Sequence, residues 1–222
     1  MTSGIELDLL PPTVARAASI GCILGSFDPP HLGHLAMARA LLERCDAALL
    51  LLPASHFEKQ IAPGVNASLR QRLALLRALA KSAPGRLATG VAGEVLYLRL
   101  DSALAARFPD ARICLGLGDD SRARLLDSAR YFAAAGLAWG DAQERELRAL
   151  LERTVVFGRH RAAAGSVALP EPVRAISSTR VRQIASALWR AGVDDGIWRR
   201  RLASLVTAEV ATAMRELELY RV

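Results

Sequence analysis

Ser19-Ile20-Gly21-Cys22-Ile23-Leu24-Gly25-Ser26-Phe27-Asp28-Pro29-Pro30-His31-Leu32-Gly33-His34 is the stretch on which the fold turns. Ser19 to Leu24 is a short apolar run that ends at a glycine, so it reads as a buried strand entering a turn. Gly25 to Pro30 carries that turn, and a helix is expected from about Leu32 to Arg44. Ala47 to Leu52 is a second apolar run of strand length. Strand, glycine turn, helix, strand is the opening of a parallel α/β unit. Ligands of such units bind where the carboxyl ends of strands meet helix N-termini.

The alternation continues along the chain. Pro53 to Asn66 reads as a loop, and Leu69, Leu73, Leu76 and Leu79 predict a helix over Ser68 to Lys81. Further strands are expected at Leu87 to Val91, Ile113 to Leu117 and Thr154 to Phe157. Helices are expected at Leu98 to Arg107, Ser121 to Ala135, Gln143 to Glu152 and Ser178 to Ala191, with one or two more between Asp194 and Leu219. The fold class is therefore α/β, a doubly wound, mainly parallel sheet with C-terminal helices. Residues 1–18, with acidic Glu6 and Asp8 and the Pro11-Pro12 break, read as a short, partly ordered N-terminal extension. Residues 19–222 read as one domain.

Composition narrows the function classes. Apolar residues make up 52% and charged residues 23%, which excludes a disordered chain. No apolar run reaches the length needed to span a bilayer, and the acidic N-terminus is a poor signal peptide, so no membrane partner is expected. Cys22, Cys45 and Cys114 are odd in number and far apart, and read as buried free thiols of a reducing cytoplasm. The net charge of +7 invites an anionic partner, yet only Lys59 and Lys81 are lysines. The arginines are scattered among abundant alanines, a compositional bias rather than a nucleic-acid surface. The sequence leaves a homo-oligomer open.

Chemistry concentrates in two segments. Gly25 allows close backbone approach, and the helix after it offers N–H groups to phosphate oxygens. His31 and His34, three residues apart at a helix start, share one face, and Gly33 between them carries no side chain to block access. Two surface histidines after a Gly/Pro turn would be the plain alternative, but this pair is half of the chain's 4 histidines. Ile176-Ser177-Ser178-Thr179-Arg180-Val181-Arg182 precedes another helix. Its hydroxyls read alone as an N-cap, and beside the first segment as a second phosphate cradle with Arg182 as a planar fork of donors. Leu115-Gly116-Leu117-Gly118 lacks the third glycine of a dinucleotide fingerprint and reads as strand passing into turn. Asp119 and Asp120 after it are either helix-start carboxylates or part of a site.

Phe27-Asp28-Pro29-Pro30-His31-Leu32-Gly33-His34 and Ile176 to Arg182 resemble the two signatures of the HxGH nucleotidyltransferase superfamily. Class I aminoacyl-tRNA synthetases share a similar histidine pair, but this chain is short and has no lysine-rich second signature. The resemblance extends over most of residues 19–222 to the nicotinate/nicotinamide mononucleotide adenylyltransferases. It rests also on Leu52-Pro53 followed by His56 and Lys59, on Gly118-Asp119-Asp120, and on the Leu219-Tyr220 ending. It implies a Rossmann-like fold and transfer of AMP from ATP, with its Mg²⁺, to the phosphate of a small-molecule acceptor. His31, His34 and Arg182 would be catalytic. Gly25, Ser26, Phe27, Gly33, Ile176, Ser177, Ser178 and Thr179 would hold ATP, and Lys59, His56, Asp120 and Tyr131 the acceptor. Ser128 stands where the family usually has a tryptophan, with Tyr131, Phe132 and Trp139 further on. Thr207 replaces a usual proline, and Asp194 to Arg201 is an additional stretch. A different phosphorylated acceptor, such as phosphopantetheine, and a non-catalytic nucleotide-binding regulator remain as alternatives.

Overall fold

The apolar runs become strands β2 (Ser19–Leu24), β3 (Ala47–Pro53), β4 (Leu87–Ala92), β5 (Arg112–Gly118) and β6 (Val155–Gly158), joined by a two-residue β7 (Val167–Ala168) and, before them all, β1 (Ile5–Leu9). The computed structural model describes residues 4–54, 65–93, 96–127, 132–133, 139–158 and 166–221. The sheet order is β1-β4-β3-β2-β5-β6-β7. All neighbours from β4 to β7 are parallel, and β1 runs antiparallel to β4 at the edge. The direction of winding reverses between β2 and β5, which places the switch point of the sheet beside Gly25.

Helices cover both faces. Leu50, Leu52, Ile23 and Cys114 pack with α2 (Leu32–Leu42), α3 (Leu69–Ala80), α8 (Ser178–Arg190) and the C-terminal helices α9 (Asp195–Leu202) and α10 (Ala208–Glu216). Leu49, Leu51, Cys22 and Leu115 pack with α4 (Tyr97–Arg107) and α6 (Asp141–Glu152) on the other face. Strands covered on both faces read as continuous apolar runs, and Leu49 to Leu52 are all fully buried. Each such leucine contributes about 1.5–3 kcal/mol on leaving water. Short helices α1 (Pro12–Ala15) and α7 (Glu171–Arg174) complete the connections.

Two elements differ from the sequence expectation. The supposed extension supplies β1, whose Glu6 pairs with Val91 and Leu7 with Gly90. A Cβ at Gly90 would lie 2.4 Å from the Glu6 carbonyl oxygen, so this glycine lets the edge strand close on β4. Asp8, read as a polar tail residue, accepts from Thr89 and pairs with Arg77 at 3.3 Å. The helix expected at Ser121 starts two residues earlier, as α5 (Asp119–Leu126), with Gly118 as N-cap and Asp119 and Asp120 in the first turn. Those carboxylates suit the positive end of the helix dipole. The C-terminal stretch forms the helices expected there, α9 and α10, and packs them into the core. Asp194 caps α9, Trp198 is fully buried and donates its indole N–H to Ala211 O at 2.8 Å, and Thr207 caps α10.

All three cysteines are buried and free. Burial pushes the Cys22 thiol up, away from the reactive thiolate. Among the described residues no helix is long and apolar enough to cross a membrane.

Candidate active site

A cavity of about 570 Å³ opens at the switch point, between the carboxyl ends of β2 and β5. Gly25, Ser26, Phe27, His31 and His34 line one side of it, and Ser177, Ser178, Thr179 and Arg182 another. Asp120, with Ser121 and Arg124, lines it from α5. The two signature segments, about 140 residues apart in sequence, are also bonded directly: Ser178 Oγ donates to Pro29 O at 2.9 Å.

His31 does not lie within the helix but caps it. Its backbone is extended, and its Nδ1 accepts the Gly33 N–H at 3.1 Å. His34 reciprocates from the third helical position, its Nδ1 accepting the His31 N–H at 3.1 Å. This capping box uses two imidazoles where hydroxyl and carboxamide groups are usual. With both Nδ1 atoms accepting, the neutral tautomer carries its proton on Nε2, so each ring presents Nε2–H as its donor. The rings stack at 3.8 Å, and Phe27 meets His34 edge-on at 4.8 Å.

The glycines serve the side chains more than the ligand. A Cβ on Gly33 would meet the His31 ring at 2.9 Å, and one on Gly25 the Phe27 ring at 3.1 Å. The first N–H groups of α2 are also taken: Leu32 N–H by Leu205 O, Gly33 N–H by His31 Nδ1, His34 N–H by His31 O. The open helix start expected from the sequence is therefore closed by the C-terminal chain and the histidine cap. The donors this segment turns to the cavity are its imidazoles. Phe27 takes φ of +44°, a left-handed conformation costing about 1–2 kcal/mol for a side-chain-bearing residue. Its fully buried ring holds it there.

Ser177 caps α8 by accepting the Arg180 N–H at 3.2 Å, so the N-cap and cradle readings describe one structure. Ile176 is buried in the core beneath the hydroxyls and, like Gly33, supports the lining rather than forming it. Arg182 Nη2 donates to Thr179 Oγ1 at 3.3 Å, and Nη1 donates to the Asp28 carbonyl. Lys59, His56 and Tyr131 fall outside the described residues. Phe132 packs with Trp139 at 4.8 Å in the core beside α4 and α6 and does not line the cavity.

Asp28 is the residue whose role the sequence conceals. Its buried carboxylate accepts from Tyr220 Oη at 2.7 Å and Ala67 N–H at 3.0 Å on Oδ1, and from Asn66 Nδ2 on Oδ2. Arg182 approaches Oδ2 only to 3.5 Å. Arg72, buried under the same turn, donates to Ser26 O at 3.2 Å. Burial pulls its pKa down, and the Asp28 carboxylate opposes that fall. Asn66 and Arg72 have no local sequence signal, and the Leu219-Tyr220 ending marks the resemblance without disclosing the contact, because each is defined by a bond made across the fold.

Burial, and then the Asp28 carboxylate, push the Tyr220 phenol well above its ordinary value. An unfolded tyrosine ionises at about pH 10, while the folded one keeps its proton to higher pH. Its contribution to stability is therefore complete below about pH 10 and is lost progressively as the pH rises beyond it. Urea denaturation on either side of about pH 10 is expected to show that decline, and Tyr220→Phe to flatten it. An unchanged slope in the variant would contradict the assignment.

Comparison with known proteins agrees with this geometry. A family model described as cytidylyltransferase-like matches residues 22–184. A protein of Aeromonas salmonicida named "Probable nicotinate-nucleotide adenylyltransferase" is 29% identical over 222 residues, covering 92% of this chain and 98% of that protein. One of the same name from Neisseria meningitidis serogroup A is 31% identical over 195 residues, covering 80% and 90%. The solved nicotinic acid mononucleotide adenylyltransferase of Plasmodium falciparum, complexed with APC, superposes with a TM-score of 0.61 at 12% identity, covering 91% of this chain and 97% of that one. The last comparison bears on the fold and the first three on descent. Signature segments, sheet order and relatives converge: the chain belongs to the cytidylyltransferase-like family of nucleotidyltransferase enzymes.

Proposed function

We propose that the protein joins ATP to nicotinate or nicotinamide mononucleotide, forming the dinucleotide and pyrophosphate in NAD biosynthesis. The observation that carries this reading is the convergence of His31, His34, Ser177, Ser178, Thr179 and Arg182 on one cavity at the switch point of the sheet. Such a cavity, at about 570 Å³, is within the range of nucleotide-sized sites. The relatives' names supply the acceptor class.

In this reaction an oxygen of the acceptor phosphate attacks the α-phosphorus of ATP. A new P–O bond forms as the bond to the β-phosphate oxygen breaks, and pyrophosphate leaves with the electron pair. Charge grows on the α-phosphoryl oxygens and on the departing group. The imidazole Nε2–H donors and the Arg182 fork are suited to that charge, and the hydroxyls of Ser177 to Thr179 to positioning it. No protein nucleophile is needed, because the acceptor brings its own. Mg²⁺ arrives as part of the triphosphate substrate and is held by phosphate oxygens, the protein contributing N–H and O–H donors around them. Cys22, Cys45 and Cys114, all buried free thiols, are in keeping with a reducing cytoplasm.

Another phosphorylated acceptor is the second reading. It is favoured by Phe132 and Trp139, which pack in the core instead of offering the cavity an aromatic wall. The test is incubation of purified protein with ATP, Mg²⁺ and each mononucleotide, scored for dinucleotide and pyrophosphate, beside a panel that includes phosphopantetheine. Turnover of either mononucleotide supports the first reading. Pyrophosphate release with phosphopantetheine alone replaces it, and ATP binding with no release from any acceptor would mark a regulator.

A further inference from the structure

The penultimate segment of the chain reaches the middle of the first signature. Tyr220 itself takes a left-handed φ of +60°, and the chain before it is tied down by Trp189 Nε1, which donates to Leu219 O at 2.8 Å. The Tyr220 hydroxyl is thereby held against Asp28, 192 residues away in sequence. The arrangement around Asp28 is unusual in what it denies. Arginine and carboxylate normally close into a short fork at about 2.7–2.9 Å. Here Arg182 meets the carboxylate at one point only, 3.5 Å away, while its stronger contacts are to the Asp28 main-chain carbonyl and to Thr179. Oδ1 is instead engaged by Tyr220 and the Ala67 N–H, and Oδ2 accepts from Asn66.

We propose that Tyr220 is a positioning residue: by holding Asp28 Oδ1 it keeps the carboxylate turned so that only Oδ2 faces Arg182, denies the arginine a two-oxygen fork, and so keeps that guanidinium directed to the triphosphate. This inference rests on the nucleotidyltransferase reading of the site. Without the phenol, Asp28 Oδ1 is released, the carboxylate can turn both oxygens to the half-buried Arg182, and the arginine turns inward to form the fork. The arginine then meets phosphate with fewer donors, and triphosphate binding weakens while the acceptor side of the cavity is unaltered.

A double-mutant cycle tests this. Calorimetric titration of Mg·ATP into wild type, Tyr220→Phe, Arg182→Ala and the double variant gives four dissociation constants, with thermal unfolding of each recorded in parallel. Tyr220→Phe is expected to weaken Mg·ATP binding about tenfold, the usual scale for a hydrogen bond to a charged group. In the Arg182→Ala background the same change is expected to have no further effect on ATP, although it still lowers Tm. Phenylalanine keeps the ring and its packing, so a folded variant is expected. If the variant does not fold, Asp28→Asn with Tyr220 intact replaces it: a carboxamide cannot capture Arg182, so near-wild-type ATP affinity is expected, and a loss of about tenfold or more would overturn the proposal by showing that the carboxylate supports Arg182 rather than competing for it. Unchanged binding in Tyr220→Phe, or equal losses in both backgrounds, would overturn the proposal and leave Tyr220 a purely structural residue. Because the readout is ATP binding, wild-type protein that binds ATP but turns over neither mononucleotide defeats only the acceptor assignment. Protein that binds no ATP defeats both.

Discussion

Replacing His34 with alanine is expected to lower kcat/KM for the triphosphate by about 10²–10³-fold, the usual cost of deleting one preorganised donor aimed at developing charge. The reason is geometric. His34 Nδ1 is engaged by the His31 N–H, which fixes the proton on Nε2, and the stacked His31 ring and the edge of Phe27 hold the imidazole plane. A donor fixed in this way needs no reorganisation as charge develops on the phosphoryl oxygens. The substitution also removes half of the capping box, worth about 1 kcal/mol, so Tm is expected to drop by about 2–4 °C. His34→Gln separates the two effects. Glutamine at the third helical position restores the box, so Tm returns, while the rate lies between those of wild type and alanine. Steady-state kinetics and thermal unfolding on the same three proteins check this. A near-normal rate for His34→Ala would show that the imidazole serves only the cap.

The pattern of what was legible in the chain follows from how far each feature reaches. β2, the Gly25 turn and α2 could be read because they are contiguous: an apolar run, a Gly/Pro break and a helix start occur within sixteen residues. The buried strands β3, β4 and β5 were legible for the same reason, since a strand covered on both faces is apolar at every position. β1 was not, because an edge strand alternates: Glu6 and Asp8 are its polar face, and in sequence they resemble a tail. At the site, His31 and His34 announced themselves, but the way they are held did not. A helix expected from about Leu32 leaves His31 just before it, but the spacing shows only a shared face and not the reciprocal bonds in which each Nδ1 accepts a backbone N–H. Thr207 stands in the sequence as a departure from a usual proline, yet its hydroxyl caps α10. Least legible was Asp28, quoted in the signature but assigned nothing. Its partners Asn66 and Ala67, Arg182, and Tyr220 come from three separate parts of the chain, and periodicity carries no record of such contacts.

That hub makes Asp28→Ala the substitution with the largest expected effect on stability. Alanine would leave the buried Tyr220 hydroxyl and Ala67 N–H without their acceptor and Arg182 without its neighbouring anion. Each stranded neutral donor costs about 1–3 kcal/mol, and removing one member of a buried charged cluster about 3–5 kcal/mol in all. For a chain of this size, that range corresponds to a Tm lower by about 6–20 °C. Activity should fall with it at temperatures where the protein is still folded, because Asp28 O and the turn that carries it position Arg182. Asp28→Asn is the informative partner. Its carboxamide oxygen still accepts from Tyr220 and Ala67, while its NH₂ faces the Asn66 NH₂ until that amide flips. About 1–2 kcal/mol of loss is expected there, well short of the alanine variant. Thermal and urea unfolding of the two proteins against wild type give the comparison. Equal losses would mean that the charge on Asp28 dominates. A loss confined to alanine means that acceptor geometry does, and in that case the turn bearing the histidines is held by its hydrogen bonds to Tyr220, Asn66 and Ala67 rather than by its ion pair with Arg182.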